Sequence, residues 1–435
     1  MMPGCSLHVF ESPSSQGVRS ILFALALTSA VVAVEIGLSL TSIRGAFAQT
    51  QYADTVRPEV GNPLLAAQEL IKTQKYRAAL AKIQEAEGVK DKTAYEQYMI
   101  DRLRANAAAG SGEVELAVKS FESVMASSRT SPSEKLKMTE AAADLYYRSK
   151  DYSKAISWAL RYRDAGGTAE EMRRLLVQAY YLNGDFGKAA QEVRSMVQAD
   201  ESAGRTPSEE RLQLLASCYL KQQDMAGYSA ALEKLVASYP KNEYWRDLVY
   251  RIESRTGFSP RLALDVYRLK MAVGVPSTST QIMEMTQLAL QAGFPLEAKK
   301  IIDKGFAAGV LGSGPDADRQ KRLRDLATKS ASEDQKALGQ RQDESAIAAK
   351  DGTALVNAGF AYVTRGDYGK GADLIQQGIR KGGLKHPDDA QLHLGIAYLL
   401  GGQKEQAIRV FKSVQGTDGA ADLARLWAIY ARQPA

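Results

Sequence analysis

Residues 388–414, DDAQLHLGIAYLLGGQKEQAIRVFKSV, decide the fold of this 435-residue chain. Pro387 opens a helix that carries Leu394-Gly395 and Tyr398, and Gly401-Gly402-Gln403 ends it. A second helix follows with Ala407-Ile408 and Phe411. Glycine past a helix end supplies a left-handed cap, so the stretch reads as helix, tight turn, helix. Such a hairpin has an apolar face that it cannot bury alone.

Outward from Ala407 the unit recurs. Gly371, Ala337, Ala298, Ala263, Tyr228, Ala189, Ala155, Ala117 and Ala79 mark the same position at intervals in the mid-thirties, the period of stacked helical hairpins. Nine residues before the marker stand Leu70, Tyr146, Tyr180, Tyr219, Tyr362 and Tyr398; three before it, Tyr76, Tyr152, Phe186, Met225 and Tyr368; four after it, Ile83, Val193, Leu232, Ile375 and Phe411. Turn signals separate the first two sets, as in Ser149-Lys150-Asp151, Asn183-Gly184-Asp185 and Arg365-Gly366-Asp367, where the aspartate can cap the next helix. Each large side chain contributes ~1.5–3 kcal/mol on full burial. The marker is small because the two helices approach most closely there, and a bulky residue would overpack by ~1–3 kcal/mol.

Tyr228 breaks that rule. It predicts either a splayed hairpin or a tyrosine turned outward, with Ser229 or Ala230 taking the contact. The segment 312–350 is poorest, with Leu323, Leu326, Leu338 and Ile347 as its only large aliphatics, and reads as a degenerate hairpin or a mobile charged helix. Ala420 to Arg432 carries Leu423, Leu426, Trp427 and Tyr430 at helical spacing and reads as a helix covering the last hairpin.

Leu394-Gly395, Tyr398, Ala407-Ile408 and Phe411, with the copies at 136–162, 170–196, 209–240 and 352–378, resemble the tetratricopeptide repeat family. The resemblance implies an all-α, right-handed solenoid of helical hairpins. It also implies that the first helix of each hairpin lines a binding face through the second, fifth, ninth, twelfth and thirteenth repeat positions. Here those are Lys137, Glu140, Asp144, Tyr147 and Arg148; Glu171, Arg174, Gln178, Tyr181 and Leu182; and Glu210, Gln213, Ser217, Leu220 and Lys221. Of these, Lys137, Tyr147, Arg148, Arg174, Gln178, Tyr181, Gln213 and Lys221 are the candidate partner-binding residues. The row suits an extended peptide of alternating charge, and Glu140 and Asp144 would repel a terminal carboxylate. In the last two copies the face is apolar: Val356, Phe360, Val363, Leu392, Ile396, Leu399 and Leu400. An amphipathic partner helix suits such a groove. The chain itself is the favoured occupant, through helix 420–432 or through packing of the superhelix on itself.

Residues 235–245 and 288–298 are also similar to the periplasmic tetratricopeptide proteins that accompany TonB–ExbB–ExbD energy-transduction systems. That resemblance implies an accessory docked on such a complex or on its outer-membrane receptor.

The beginning of the chain reads as an export leader. Arg19 precedes an apolar run from Ser20 to Val34, and Ala46-Phe47-Ala48 forms a small-x-small cleavage site before Gln49. Cleavage there predicts a periplasmic protein; retention would make the run an inner-membrane anchor. The leader holds two basic and two acidic residues, so the net charge of +6 belongs to the remainder. Export and interspersed charges argue against nucleic acid as partner. Cys5 lies in the leader, leaving Cys218 as a lone buried thiol on an apolar helical face.

Chemistry finds no purchase. The sequence after the leader lacks HExxH, GxSxG, phosphate-loop and dinucleotide fingerprints, and its two histidines, His386 and His393, lack a nearby cysteine. Carboxylate pairs such as Glu170-Glu171 sit at helix starts, where the helix dipole explains them. The sequence therefore predicts a leader at 1–48, hairpins one to four at 49–200, five to seven at 206–310, a charged segment at 311–350, hairpins nine and ten at 351–419, and a cap helix at 420–435. The expected function is a non-catalytic protein-interaction scaffold of the bacterial cell envelope, without cofactor or metal. The alternatives are a TonB-system accessory and a substrate-positioning subunit of a polysaccharide or peptidoglycan enzyme complex.

Overall fold

A computed structural model describes residues 55–337 and 340–433. The leader with Cys5, the cleavage site at Gln49, Leu338 and the last two residues lie outside that range. The described residues form helices only, in two compact units: an N-terminal unit of residues 55–205 with 217–223, and a C-terminal unit of residues 206–216 with 224–433.

The N-terminal unit stacks four hairpins: α1 (Pro58–Lys72) with α2 (Tyr76–Glu87), α3 (Ala94–Ser111) with α4 (Val114–Ala126), α5 (Pro132–Arg148) with α6 (Tyr152–Asp164), and α7 (Glu170–Leu182) with α8 (Phe186–Ser202). The end of α9 (Glu209–Lys221) belongs to it as well. The C-terminal unit holds the start of α9 together with α10 (Met225–Ser238), α11 (Asn242–Glu253), a single 3-10 turn (Pro260–Leu262) running into α12 (Ala263–Ala272), and the hairpin α13 (Ser279–Gln291) with α14 (Pro295–Ala307). There follow α15 (Ala317–Ala337), α16 (Gln340–Ala348), α17 (Thr353–Arg365) with α18 (Tyr368–Lys381), α19 (Pro387–Leu400) with α20 (Lys404–Ser413), and α21 (Ala420–Arg432).

The marker is the fourth residue of the second helix in eight of these hairpins, and Ala79, Ala117, Ala155, Ala189, Ala298 and Ala407 are fully buried there. At Ala263 the 3-10 turn supplies the missing first turn and keeps the count. At Gly371 even alanine is too large: a Cβ would lie 2.6 Å from Val363 Cγ2 and 2.8 Å from the carbonyl oxygen of Gly359.

The turn geometry is as regular as the marker. Five residues before it, Gln74, Gly112, Lys150, Gly184, Gln223, Gly293, Gly366 and Gly402 all have φ between 59° and 99°. The next amide then donates back to the carbonyl nine residues before the marker, as from Asp151 to Tyr146, Asp185 to Tyr180 and Gln403 to Tyr398, at 2.8 to 2.9 Å. This is the six-to-one bond of a Schellman turn. Asp151 and Asp367 cap as expected, accepting from the amides of Lys154 and Lys370, and Asp224 does the same for Gly227, whereas Asp185 makes no side-chain cap.

One expectation needs correction. Tyr228 neither turns outward nor yields to Ala230, which is exposed. It is buried; its hydroxyl donates to Asp247 Oδ2 of α11 at 2.5 Å, and the Arg251 guanidinium lies 4.1 Å from its ring. A tyrosine is accommodated because its polar tip finds a carboxylate and its face a cation. Over 312–337 the charged-helix alternative fits: α15 runs for 21 residues and buries Leu323, Ala327 and Ala331, while Leu326 stays exposed.

Candidate functional site

In the N-terminal unit the predicted face is built by successive first helices. Tyr147, at the twelfth repeat position on α5, donates its hydroxyl to Gln178 Oε1, at the ninth position on α7, at 3.1 Å. One repeat on, the Tyr181 and Ser217 hydroxyls repeat the same twelfth-to-ninth rung at 2.8 Å. Both tyrosines are steadied by an edge-on ring from the following helix, Tyr152 at 5.7 Å and Phe186 at 5.2 Å between centroids. All four rung residues remain half-exposed. Ordered aromatic and amide groups at the surface lose little entropy when a partner contacts them.

Charge is distributed around these rungs. Arg148 pairs with Asp144 at 2.5 Å and Arg174 with Glu171 at 2.9 Å, all at the surface. Lys137 and Lys221 are exposed. Burial, together with the Glu171 and Asp144 charges, pushes the Glu140 carboxyl above its ordinary range. Burial first, then Tyr152 and Asp144, does the same for the Tyr147 phenol. Both shifts are set first by burial, with the neighbouring charges adding to it.

Gln213 stands apart from the other predicted residues. It lies in the C-terminal unit, where its side-chain amide donates to the Tyr244 hydroxyl at 2.5 Å, and that hydroxyl in turn donates to Glu209.

The equivalent positions in the C-terminal unit are sealed. Val356, Phe360, Val363, Leu392 and Ile396 are all buried, although Leu400 remains exposed. Packed on Phe360 are Phe294 of α14, with ring centroids 5.3 Å apart, and the Arg268 guanidinium of α12, 4.4 Å from the ring. Arg268 forms a fork on Glu297, Nε to Oε1 at 2.8 Å and Nη2 to Oε2 at 2.7 Å, and its Nη1 donates to Asp265 Oδ1 at 2.7 Å. His393 Nε2 lies 3.0 Å from the same Asp265 oxygen. Burial would raise the Asp265 carboxyl, but the His393 and Arg268 charges outweigh it and hold the group well below the usual carboxylate range. Outside this cluster the cap helix α21 packs on α10, α12, α19 and α20. Arg425 pairs with Glu233 at 2.9 Å, Arg255 with Asp422 at 2.7 Å, and Gln433 donates to the Val236 carbonyl at 2.8 Å. The chain itself thus occupies the apolar face: α12 and α14 cover Phe360, while Val356 and Val363 lie against Gly378 and Gly371 of α18.

Sequence reasoning missed this cluster. Its one local signal is an ionisable His393 between Leu392 and Leu394 on an otherwise apolar helix. Cys218 is fully buried, and burial pushes its thiol up to about 12. The segments that suggested a TonB-system accessory supply Leu235, Val236, Trp245, Ala289, Phe294 and Ala298, all buried, so hairpin packing accounts for them.

Tetratricopeptide-repeat family models match residues 102–170, 212–242 and 389–417. No curated protein matches the chain. Among solved structures, Naa15/Naa10 bound to HypK-THB aligns at 13% identity over 84% of this chain and 58% of that chain, with a TM-score of 0.29. This chain thus spans little more than half the length of that one. The maize pentatricopeptide repeat protein PPR10 aligns at 12% identity over 97% and 66%, TM-score 0.29. Yeast Tom70 aligns at 12% over 86% and 95%, TM-score 0.19. The chain thus carries matched tetratricopeptide repeats in both units, set among helical hairpins at the predicted period.

Proposed function

We propose that this protein-interaction scaffold works in the bacterial cell envelope and engages its partner on the first-helix face of α5, α7 and α9. The observation that carries this reading is the pair of rungs, Tyr147–Gln178 and Tyr181–Ser217. They hold aromatic and polar groups half-exposed and in register along consecutive repeats. An extended segment of alternating charge fits that row: its backbone and polar side chains meet the rung residues, its acidic groups meet Arg148, Arg174 and Lys221, and its basic groups meet Glu140 and Asp144. Gln213 is not included.

Export rests on Arg19, the apolar run and Ala46-Phe47-Ala48. No helix of the described residues is long and apolar enough to cross a membrane. The repeats do the binding, and catalysis has no role in this reading. The test is capture from envelope extracts by the wild-type chain and by a Tyr147→Ala, Arg174→Ala, Tyr181→Ala variant with unchanged far-UV circular dichroism. The wild type should retain a partner that the variant loses; equal recovery would sink the assignment of this face. A partner from the TonB–ExbB–ExbD complex would sharpen the role to energy-transduction accessory. A glycan-processing enzyme would sharpen it to a positioning subunit. N-terminal sequencing of the exported protein should begin at Gln49.

A further inference from the structure

We propose that Arg268 is the pin of a self-closing clasp: its guanidinium locks the inner face of α17 and α19 against α12 and α14, and withdrawing it unseals that face. Four helices converge on this one side chain. From α12 it reaches Glu297 on α14 through both arms of its fork and Asp265 on its own helix through the third nitrogen. Its flat face lies on Phe360 of α17, with Phe294 also within 5.3 Å. His393 of α19 joins through the shared Asp265 oxygen and by lying 4.3 Å from the Phe360 ring. Arg268 and Asp265 are each about 7% exposed, so neither charge has water to fall back on.

The argument for a pin rests on how buried and exposed ion pairs differ. A buried, hydrogen-bonded charge group adds little net stability over an apolar core, but removing one partner strands the others in a low-dielectric interior. It therefore selects one arrangement sharply. Planar fork geometry makes that selection particular to arginine. The outer ties of the cap helix are of the other kind: Arg425 and Arg255 are about half exposed, where ion pairs contribute little. Closure is set at α12 and only covered by α21. When the pin is withdrawn, Phe360 on α17 and His393 on α19 lose the cover that holds the two helices against α12 and α14.

The test uses the full chain, hydrogen exchange of residues 353–365 and 387–400, and binding of an apolar fluorescent dye. Arg268→Ala leaves a guanidinium-sized space still flanked by Glu297, Asp265 and Phe360. Exchange in both helices should accelerate about tenfold or more, with new dye binding. Methylguanidinium at about 10 mM should restore protection, whereas tetramethylammonium at the same concentration should not. Arg268→Lys keeps the charge without the fork and should open the same two helices while the far-UV spectrum is unchanged. Protection that stays at the wild-type level in either variant overturns the proposal. So does an opening in Arg268→Ala that methylguanidinium leaves unreversed. If Arg268→Ala does not fold, Arg268→Lys decides alone by the same exchange criterion.

Discussion

The ninth and twelfth repeat positions have opposite fates in the two units. In the N-terminal unit they are Gln178, Ser217, Tyr147 and Tyr181, tied into half-exposed rungs. In the last two hairpins of the C-terminal unit they are Phe360, buried against the chain's own α12 and α14, Val363, buried toward α18, the buried Ile396 and the half-buried Leu399. The backbone unit is the same, with the same turn and the same small marker. What differs is side-chain chemistry at two positions per repeat. Polar and phenolic groups there are satisfied by a neighbour and still face water; aliphatic and aromatic groups there draw another part of the chain over them. A hairpin repeat fixes a scaffold, and these two positions decide whether its inner face binds or closes.

The largest effect should come from the ninth position itself. Phe360→Ala removes a ring that is 2% exposed and contacts Phe294, Arg268 and His393. It should destabilise α17 and its neighbours by about 3–5 kcal/mol. Gln178→Ala at the equivalent position of the other unit loses one surface hydrogen bond and should stay within about 1 kcal/mol. Hydrogen-exchange protection of residues 353–365 and 170–182 measures both. Similar costs at the two sites would break the comparison.

Acid sharpens it next. Arg57 donates to Glu96 through two side-chain nitrogens, each at 2.9 Å, and through its backbone, and the Thr93 amide adds a fourth bond at 2.8 Å. The Arg57 side chain, against an opposing burial effect and with help from those backbone bonds, lowers the Glu96 carboxyl to about 2. A carboxyl lowered on folding stabilises the fold fully above its unfolded value and loses that contribution as pH falls through the folded one. Protection of α1 and α3 should therefore fall between about pH 4.5 and pH 2. Asp265, lowered further, should keep the C-terminal cluster paired to more acid conditions. Glu96→Gln should remove the N-terminal slope and cost about 1.5–3 kcal/mol at neutral pH. A slope that survives that substitution would refute the assignment.

Much of this was legible in the sequence because a repeat writes the same local contacts many times. Ala407, Gly402 and Tyr398 each had several counterparts, and the turn, the cap and the close approach could be read from their agreement. The rungs were half legible: the face was assigned by repeat position, which put both members of Tyr147–Gln178 among the candidate residues but only Tyr181 of Tyr181–Ser217, and Gln213 has a partner of its own. Its amide is drawn to Tyr244, and nothing in a periodic pattern reports such a competing partner. The Arg268 cluster was not legible at all. Asp265 and Arg268 look like any surface pair three residues apart on a helix, and their decisive partners lie 29 and 125 residues farther on. The outward-turned reading of Tyr228 failed for the same reason, since Asp247 and Arg251 are supplied by the next helix.

The marker offers a smaller test. Gly371→Ala places a methyl group against Val363 and the Gly359 carbonyl and should cost about 1–3 kcal/mol, because α17 and α18 have no room to separate under the clasp. Ala189→Gly in the N-terminal unit, where the residue is buried four places into α8, should cost about 1 kcal/mol through helix propensity and lost packing. Exchange of α18 and α8 reads each. A harmless Gly371→Ala would mean that the C-terminal hairpin can loosen, which would also weaken the case for a locked inner face.

The smallest effect belongs to the turn. Lys150 has φ of 64° at the position where the next hairpin has Gly184 at 85°. A side chain in the left-handed region clashes with its own backbone, and glycine avoids that strain while giving up some of the gain to its freer unfolded chain. Lys150 is exposed and its side chain holds nothing. Lys150→Gly should therefore stabilise α5 and α6 by up to about 1 kcal/mol, and Gly184→Ala should destabilise α7 and α8 by a similar amount. The two substitutions act on one backbone geometry from opposite sides, so opposite signs in thermal unfolding are the expected result. Equal signs would show that the turns differ in what holds them. The uniform hairpin, against which the two faces were compared, would then no longer be common to both units.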